Sequence, residues 1–249
     1  MAQPECRAGG GRVTIPEEVV FLLDCDDTLF DNDHVERDIG DQLARELGPA
    51  VRDCYWDAIG RLRAAHGYTD YLGALQCVRA SDLSDAGLLA MSSFLLDYPF
   101  ATRLYPAALD VIRHLGQWGT TIILSDGDVV FQPHKIRRSG LWEAVEGRVL
   151  ISIHKEQILG VVAATYPARH YTMIDDKLRI LTAIKQSWSD RVTTVYPRQG
   201  HYAHDQQAVS EYPAADVTIE RIGDLLDYDL PALLAVPASA DILRNEVSP

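Results

Sequence analysis

The chain has 249 residues, 47 % of them hydrophobic and 24 % charged, which suits one large globular core, or a core with a sizeable insertion, and excludes a fibrous or disordered composition. Its formal net charge of −13 excludes nucleic acid as the main partner, because a phosphate backbone demands a basic surface, and means that local cations must receive any anionic substrate. Cys6, Cys25, Cys54 and Cys77 form no CxxC pair or zinc spacing and read as free thiols, and no apolar run reaches the length of a membrane span.

Residues 1–16, with Gly9, Gly10 and Gly11, read as a flexible leader without the apolar core of a secretory signal, so a cytoplasmic location is expected. Phe21, Leu22 and Leu23 then run into Asp24, Cys25, Asp26, Asp27 and Thr28. A buried strand ending at Asp24 crowds carboxylates onto one short loop. They repel and raise each other's pKa unless a cation neutralises them, which points to a hard ion such as Mg²⁺. The plainer reading is a strand followed by an acidic turn.

Residues 31–100 hold no convincing strand. Val35, Ile39, Leu43 and Leu47 share one helix face, and the apolar residues from Leu83 to Leu96 mark another helix. The region reads as a helical cap inserted after the first strand, with hinges at 30–34 and 97–103. Arg45, Arg52, Arg61, Arg63, Tyr55, Trp56, Tyr68 and Tyr71 are its candidates for touching a ligand, with no basis for choosing among them.

Beyond the insertion, Leu109, Ile112 and Leu115 mark a helix before a β-branched strand at 120–125 that ends in Ser125. Strands follow at 149–153, at 171–175 (ending in Asp175 and Asp176), at 192–196 and, more weakly, at 216–219. Leu178, Ile180, Leu181 and Ile184 form a helix face between two of them. His201 and His204 make an HxxH in which no third ligand is evident, and read as a surface loop. A helix signal at Ile222 to Leu226 precedes a proline-punctuated tail. Short apolar strands alternating with helices predict an α/β fold: a Rossmann-like parallel sheet with helices on both faces, built from 17–30 and 101–249.

Asp24, Ser125 and Asp175/Asp176 all stand at strand ends, where ligands of open parallel sheets bind. Here the chain resembles the haloacid dehalogenase-like hydrolase superfamily over roughly residues 17–200. Asp24-Cys25-Asp26-Asp27-Thr28 matches its first motif, Ile122-Ile123-Leu124-Ser125 its second, and Asp175-Asp176 its acidic fourth. Lys155, 20 residues before Asp175, matches its third. Lys135, ten residues after Ser125 in the expected crossover helix, is the weaker candidate for that lysine.

The resemblance implies a phosphatase. It assigns Asp24 as nucleophile, forming an aspartyl-phosphate, and Asp26 as general acid and base. Ser125, Asp126 and Lys155 would lie on the phosphate, with Lys155 supplying fixed positive charge to it and to Asp24. Mg²⁺ would be held by Asp24, Asp26 (through its backbone carbonyl) and one of Asp175 and Asp176. Thr28 would shape the loop. Two departures stand out: Asp126 follows Ser125 where many relatives have Asn, placing negative charge beside the phosphate unless it is paired, and KLRIL after Asp176 lacks a further acid.

The expected substrate is a small phosphorylated metabolite, with no nucleic acid or membrane partner, for a monomer or homodimer. A haloacid dehalogenase also uses an aspartate nucleophile, but lacks the second aspartate and needs no metal. A phosphomutase differs only in the acceptor. A non-catalytic phosphate- or partner-binding scaffold is the reading from a different class. A receiver domain fits poorly, because a helical insertion directly follows the acidic loop.

Overall fold

The computed structural model describes residues 17–79, 85–204 and 206–234. The leader, Cys6, Leu83 and the tail beyond Leu234 lie outside them. In chain order the elements are β1 (Glu17–Leu23), α1 (Asn32–Glu46), α2 (Pro49–His66), α3 (Tyr71–Val78), α4 (Asp85–Asp97), α5 (Ala108–Leu115) and β2 (Thr120–Asp126). Then come α6 (Phe131–Arg138), α7 (Leu141–Ala144), β3 (Val149–Ser152), α8 (Leu159–Thr165), β4 (Ala168–Ile174), α9 (Leu178–Trp188), β5 (Val192–Pro197), α10 (Gln206–Glu211), β6 (Val217–Ile219) and α11 (Leu230–Leu234). The helix signal at 222–226 is a short 3₁₀ turn, Ile222–Leu226.

The strands form one six-stranded sheet in the order β3-β2-β1-β4-β5-β6, every pair parallel. The period-2 alternation of each strand divides its side chains between two apolar layers. Phe21, Leu23, Ile123, Ile174 and Val195 face the layer containing α5, α6 and α7. Val20, Leu22, Ile122, Leu124, Tyr171 and Met173 face α8 and α9, where Tyr171 stacks on Trp188 at 4.2 Å. The order reverses at β1: the chain builds outward to β3, then returns to place β4 on the other side. That switch point opens a crevice beyond the carboxyl ends of β1, β2 and β4.

Among the described residues, four helices, α1 to α4, lie between β1 and the segment that leads into α5 and β2. Val35, Ile39 and Leu43 are buried, as their four-residue spacing predicts, and pack with Tyr55, Ala74, Met91 and Leu95. Leu89 and Leu96, included in the predicted apolar run, are exposed. The chain enters and leaves this bundle through a narrow neck. Phe30 and Leu104 form an antiparallel bridge, Asp31 N–H donates to Arg103 O at 2.8 Å, and Tyr105 N–H donates to Leu29 O at 3.0 Å. Arg103 also pairs with Asp38 of α1 at 2.7 Å. Among the described residues, no helix is long and apolar enough to cross a membrane.

Candidate active site

Asp24 continues β1 by one residue, its N–H donating to Ile174 O at 2.9 Å. The chain then curls into a single turn, with Leu29 and Phe30 N–H groups donating to Cys25 O and Asp27 in the left-handed region at φ 58°. Asp tolerates that conformation better than most residues. Gly200, at φ 67°, closes over the turn so tightly that a Cβ there would sit 2.5 Å from that of Asp27. Asp26 in this turn lines the cleft beyond the strand ends, while Asp24 before it is buried.

At the end of β4, Asp176 N–H donates to Thr28 Oγ1 at 3.0 Å, and Gln199 after β5 donates to Thr28 O at 3.1 Å. Thr28 thus fastens the first acidic loop to the second. Asp175 Oδ1 accepts from Lys177 N–H at 2.8 Å, and Asp175 Oδ2 lies 2.7 Å from Lys155 Nζ. Lys155, in a short 3₁₀ turn after β3, also bonds Asp24 Oδ1. The buried Lys155 therefore bridges two buried carboxylates from neighbouring strands. Burial opposes its charge, but Asp175, Asp24 and Asp126 outweigh that and raise its pKa.

Carboxylate oxygens of Asp24, Asp175 and Asp176 can all lie within 4.8 Å of one another. Burial lifts the carboxyl pKa of Asp24 and, strongly, that of Asp176; Lys155 and Lys177 oppose the rise, while the neighbouring acids add to it. Asp24 Oδ2 and both oxygens of Asp176 are buried and accept no hydrogen bond; Lys177 Nζ is 3.9 Å from Asp176 Oδ1. Buried acceptors without donors are costly for a fold. Oxygens from three neighbouring carboxylates, some without a donor, form a set that suits a hard divalent cation.

Ser125, near the end of β2, has its Oγ 2.9 Å from Gln132 Nε2. The same amide donates to Asp26 Oδ2 at 3.0 Å, and Lys135 Nζ pairs with Asp26 Oδ1. Asp126 does not turn its carboxylate to the crevice as a free charge. Its Oδ1 accepts from Lys155 N–H at 2.7 Å and from Ser152 Oγ at 3.1 Å. The negative charge expected to oppose phosphate instead fixes the backbone of the lysine that would receive it.

Sequence reading had set Lys135 and Lys155 as rivals for one role, yet each holds a different aspartate. Lys177, Gln132 and Gln199 were not singled out, although Gln132 and Lys135 interrupt the buried face of α6 between Phe131 and Ile136. That polar pair on an apolar stripe was the available signal. His201 stands in a short 3₁₀ turn, half exposed, but its Nδ1 contacts Asp33 Oδ1 at 2.5 Å and lies 3.7 Å from Asp27 Oδ2. His201 thus meets Asp33 at the start of α1 and lies near Asp27. The side chain of His204 lies outside the described residues.

The bundle closes one side of the site. A cleft of about 170 Å³ is lined by Asp26, Asp126 and Lys177 from the sheet side and by Glu36, Arg63 and Tyr71 from the bundle. Arg63 of α2 donates to Tyr202 OH at 3.0 Å, joining the two walls. Of the bundle residues singled out from sequence, Arg63, Tyr68 and Tyr71 reach this cleft. Tyr55 is buried under it, bonding Tyr71 O at 2.9 Å.

No family model matches the sequence, and no curated protein does. Solved structures do. A haloacid dehalogenase-like hydrolase from Burkholderia xenovorans is 60% identical, matching 86% of this chain and 100% of its own, with a TM-score of 0.80. An L-2-haloacid dehalogenase from Xanthobacter autotrophicus shares 16% identity over 83% of this chain and 96% of its own, with a TM-score of 0.54. A magnesium-bound hydrolase of the same superfamily from Bacillus subtilis shares 16% over 84% and 97%, with a TM-score of 0.56. The latter two are alike in fold. The chain belongs to the haloacid dehalogenase-like hydrolases.

Proposed function

We propose that the protein is a Mg²⁺-dependent phosphatase that cleaves a small phosphomonoester through an aspartyl-phosphate on Asp24. The observation that carries this reading is the pair of aspartates two residues apart with separate partners. Asp24 is held by Lys155, while Asp26 is held by Lys135 and Gln132. A carboxylate oxygen of Asp24 attacks phosphorus, and the bond from phosphorus to the leaving oxygen breaks. Asp26, protonated, gives its proton to that oxygen. Asp26 as carboxylate then takes a proton from the water that cleaves the acyl-phosphate, releasing phosphate and restoring both groups.

Ser125 and Lys155 bind the phosphoryl oxygens, and Asp126 contributes by holding Lys155 in place. Asp24 and Asp176 would hold Mg²⁺ through the oxygens that accept no other bond, with Asp26 adding its backbone carbonyl and Asp175 remaining with Lys155. When bound, the ion supplies positive charge that lowers the barrier to bringing a phosphate dianion among carboxylates. The bundle α1 to α4 serves as a cap that selects the leaving group. The Bacillus subtilis hydrolase, described as revealing interdomain movement, supports a mobile relation between bundle and sheet.

Dehalogenase activity belongs to neighbours that share the fold alone, and Asp26 argues against it here. The test is a panel of phosphomonoesters with Mg²⁺, run beside halide release from an L-2-haloacid. Phosphate release that stops on chelation and returns with Mg²⁺ is expected. Metal-independent halide release would install the dehalogenase, and silence in both assays the non-catalytic scaffold.

A further inference from the structure

We infer that Gln132 and Lys135 are positioning residues that hold Asp26 and Ser125 as one unit, so that proton transfer to the leaving group depends on α6. The inference rests on the phosphatase reading and adds two residues to it.

Gln132 and Lys135 stand three apart on α6, on the face that also buries Phe131 and Ile136. Residues three apart on a helix point the same way, so both polar heads emerge together beneath the acidic loop. Lys135 is 1 % exposed. Its ammonium pairs with Asp26 Oδ1, lies 3.4 Å from Asn32 Oδ1 and sits 5.2 Å from the Phe30 ring. Burying a lysine stem and head costs more than a methionine of similar length would. A fold that needed only packing here would not need the charge.

Gln132 supplies the second constraint. Its amide lies within hydrogen-bond distance of Asp26 Oδ2 and of Ser125 Oγ. Both oxygens of Asp26 therefore have assigned partners, and the carboxyl plane is fixed. Ser125 Oγ accepts from that amide and directs its own hydrogen to Asp126 O at 3.4 Å, a long bond that a phosphoryl oxygen can replace. The group that binds phosphate and the group that moves the proton thus share one side-chain amide.

A leaving group that needs no proton separates this role from a general loss of structure. The readout is kcat/KM, which reports the first phosphoryl transfer, with Mg²⁺ present, on an alkyl phosphomonoester and on p-nitrophenyl phosphate. Lys135→Met is expected to lower it about 100-fold on the alkyl ester and about tenfold or less on the nitrophenyl ester, the contrast that general acid catalysis produces. In the Asp26→Asn background, adding Lys135→Met should cost less than about threefold, because the two act as one unit. Gln132→Met should show the same contrast at smaller amplitude, and it carries the test if Lys135→Met fails to give a cooperative melt. Equal losses on both esters, or full additivity with Asp26→Asn, would overturn the inference and leave the phosphatase reading intact. Wild-type protein inactive on both esters would remove the reading and the inference together.

Discussion

Two acidic regions of this sheet are built in opposite ways. Between β5 and β6, Asp216 Oδ2 accepts from Thr194 N–H at 2.8 Å, from Thr194 Oγ1 at 2.9 Å and from Lys185 Nζ at 2.9 Å. Burial alone would raise its pKa, but the bond from Lys185 and those from Thr194 outweigh it and hold the carboxyl below its ordinary range. At the ends of β1 and β4 the balance reverses: Asp24 and Asp176 are more deeply buried, have fewer donors, and lie above that range. The first arrangement stabilises the fold. The second costs stability and leaves oxygens without donors, the oxygens that the proposed function gives to a cation and a reacting phosphorus.

The sharpest way to break this contrast is Asp24→Asn. Turnover of the best phosphomonoester should fall by at least about 10³-fold, since the nucleophile acts with its partners as a unit. The thermal midpoint should nonetheless hold or rise by a few degrees as like-charge repulsion is relieved (on the order of 1 kcal/mol). A lost cooperative melt would make Asp24 structural. Lys155→Met should act the other way. It strands Asp24 and Asp175 without their buried cation and should cost about 3–5 kcal/mol in urea unfolding. A cost below about 1 kcal/mol would show that the pair does not need its lysine.

Mg²⁺ itself sharpens the comparison. At about 100 times its dissociation constant it should stabilise the wild type by about 2.7 kcal/mol, and chelation should reverse the shift. Asp176→Asn should abolish the shift and Asp216→Asn should leave it; an undiminished shift in Asp176→Asn would move the ion elsewhere. The smallest effect is expected at Asp216, which is 37% exposed and partly screened by solvent. Asp216→Asn should cost about 1 kcal/mol at neutral pH. Because the folded pKa is depressed, that stability is present above the unfolded carboxyl pKa and is lost as pH falls through the folded one. Urea midpoints of wild type and variant should converge in acid, and a gap that widens there would contradict the assignment.

Much of the fold was legible because β1, β2 and β4 are short apolar runs that end at or beside a polar residue. Asp24, Ser125 and Asp175 mark the carboxyl ends of β1, β2 and β4, within one residue of the observed termini. The convergence of Asp24 with Asp175 and Asp176 follows from parallel topology, which brings strand ends together whatever their distance in sequence. The partners of these groups were less legible. Lys135 and Gln132 fall on the apolar stripe of α6, a signal that they are buried but not of which aspartate they meet. Asp126 looked like an electrostatic fault until its bond to Lys155 N–H supplied the compensation. His201 meets Asp33 across 168 residues, a contact that no local pattern encodes. The helix marked by the leucine-rich run is present as α4, but such a run does not say which leucines face inward, and Leu89 and Leu96 are exposed.

The neck at Phe30 and Leu104 has a consequence for how such a chain diversifies. Because the outgoing and returning segments are already paired there, everything between them can be exchanged without moving a strand of the sheet. A graft of a foreign helical bundle that kept Asn32 and Asp33, which contact Lys135 and His201, would retain the strand ends beneath it. Novelty in what the enzyme recognises can thus accumulate on one side of a two-residue seam while the chemistry on the other stays fixed.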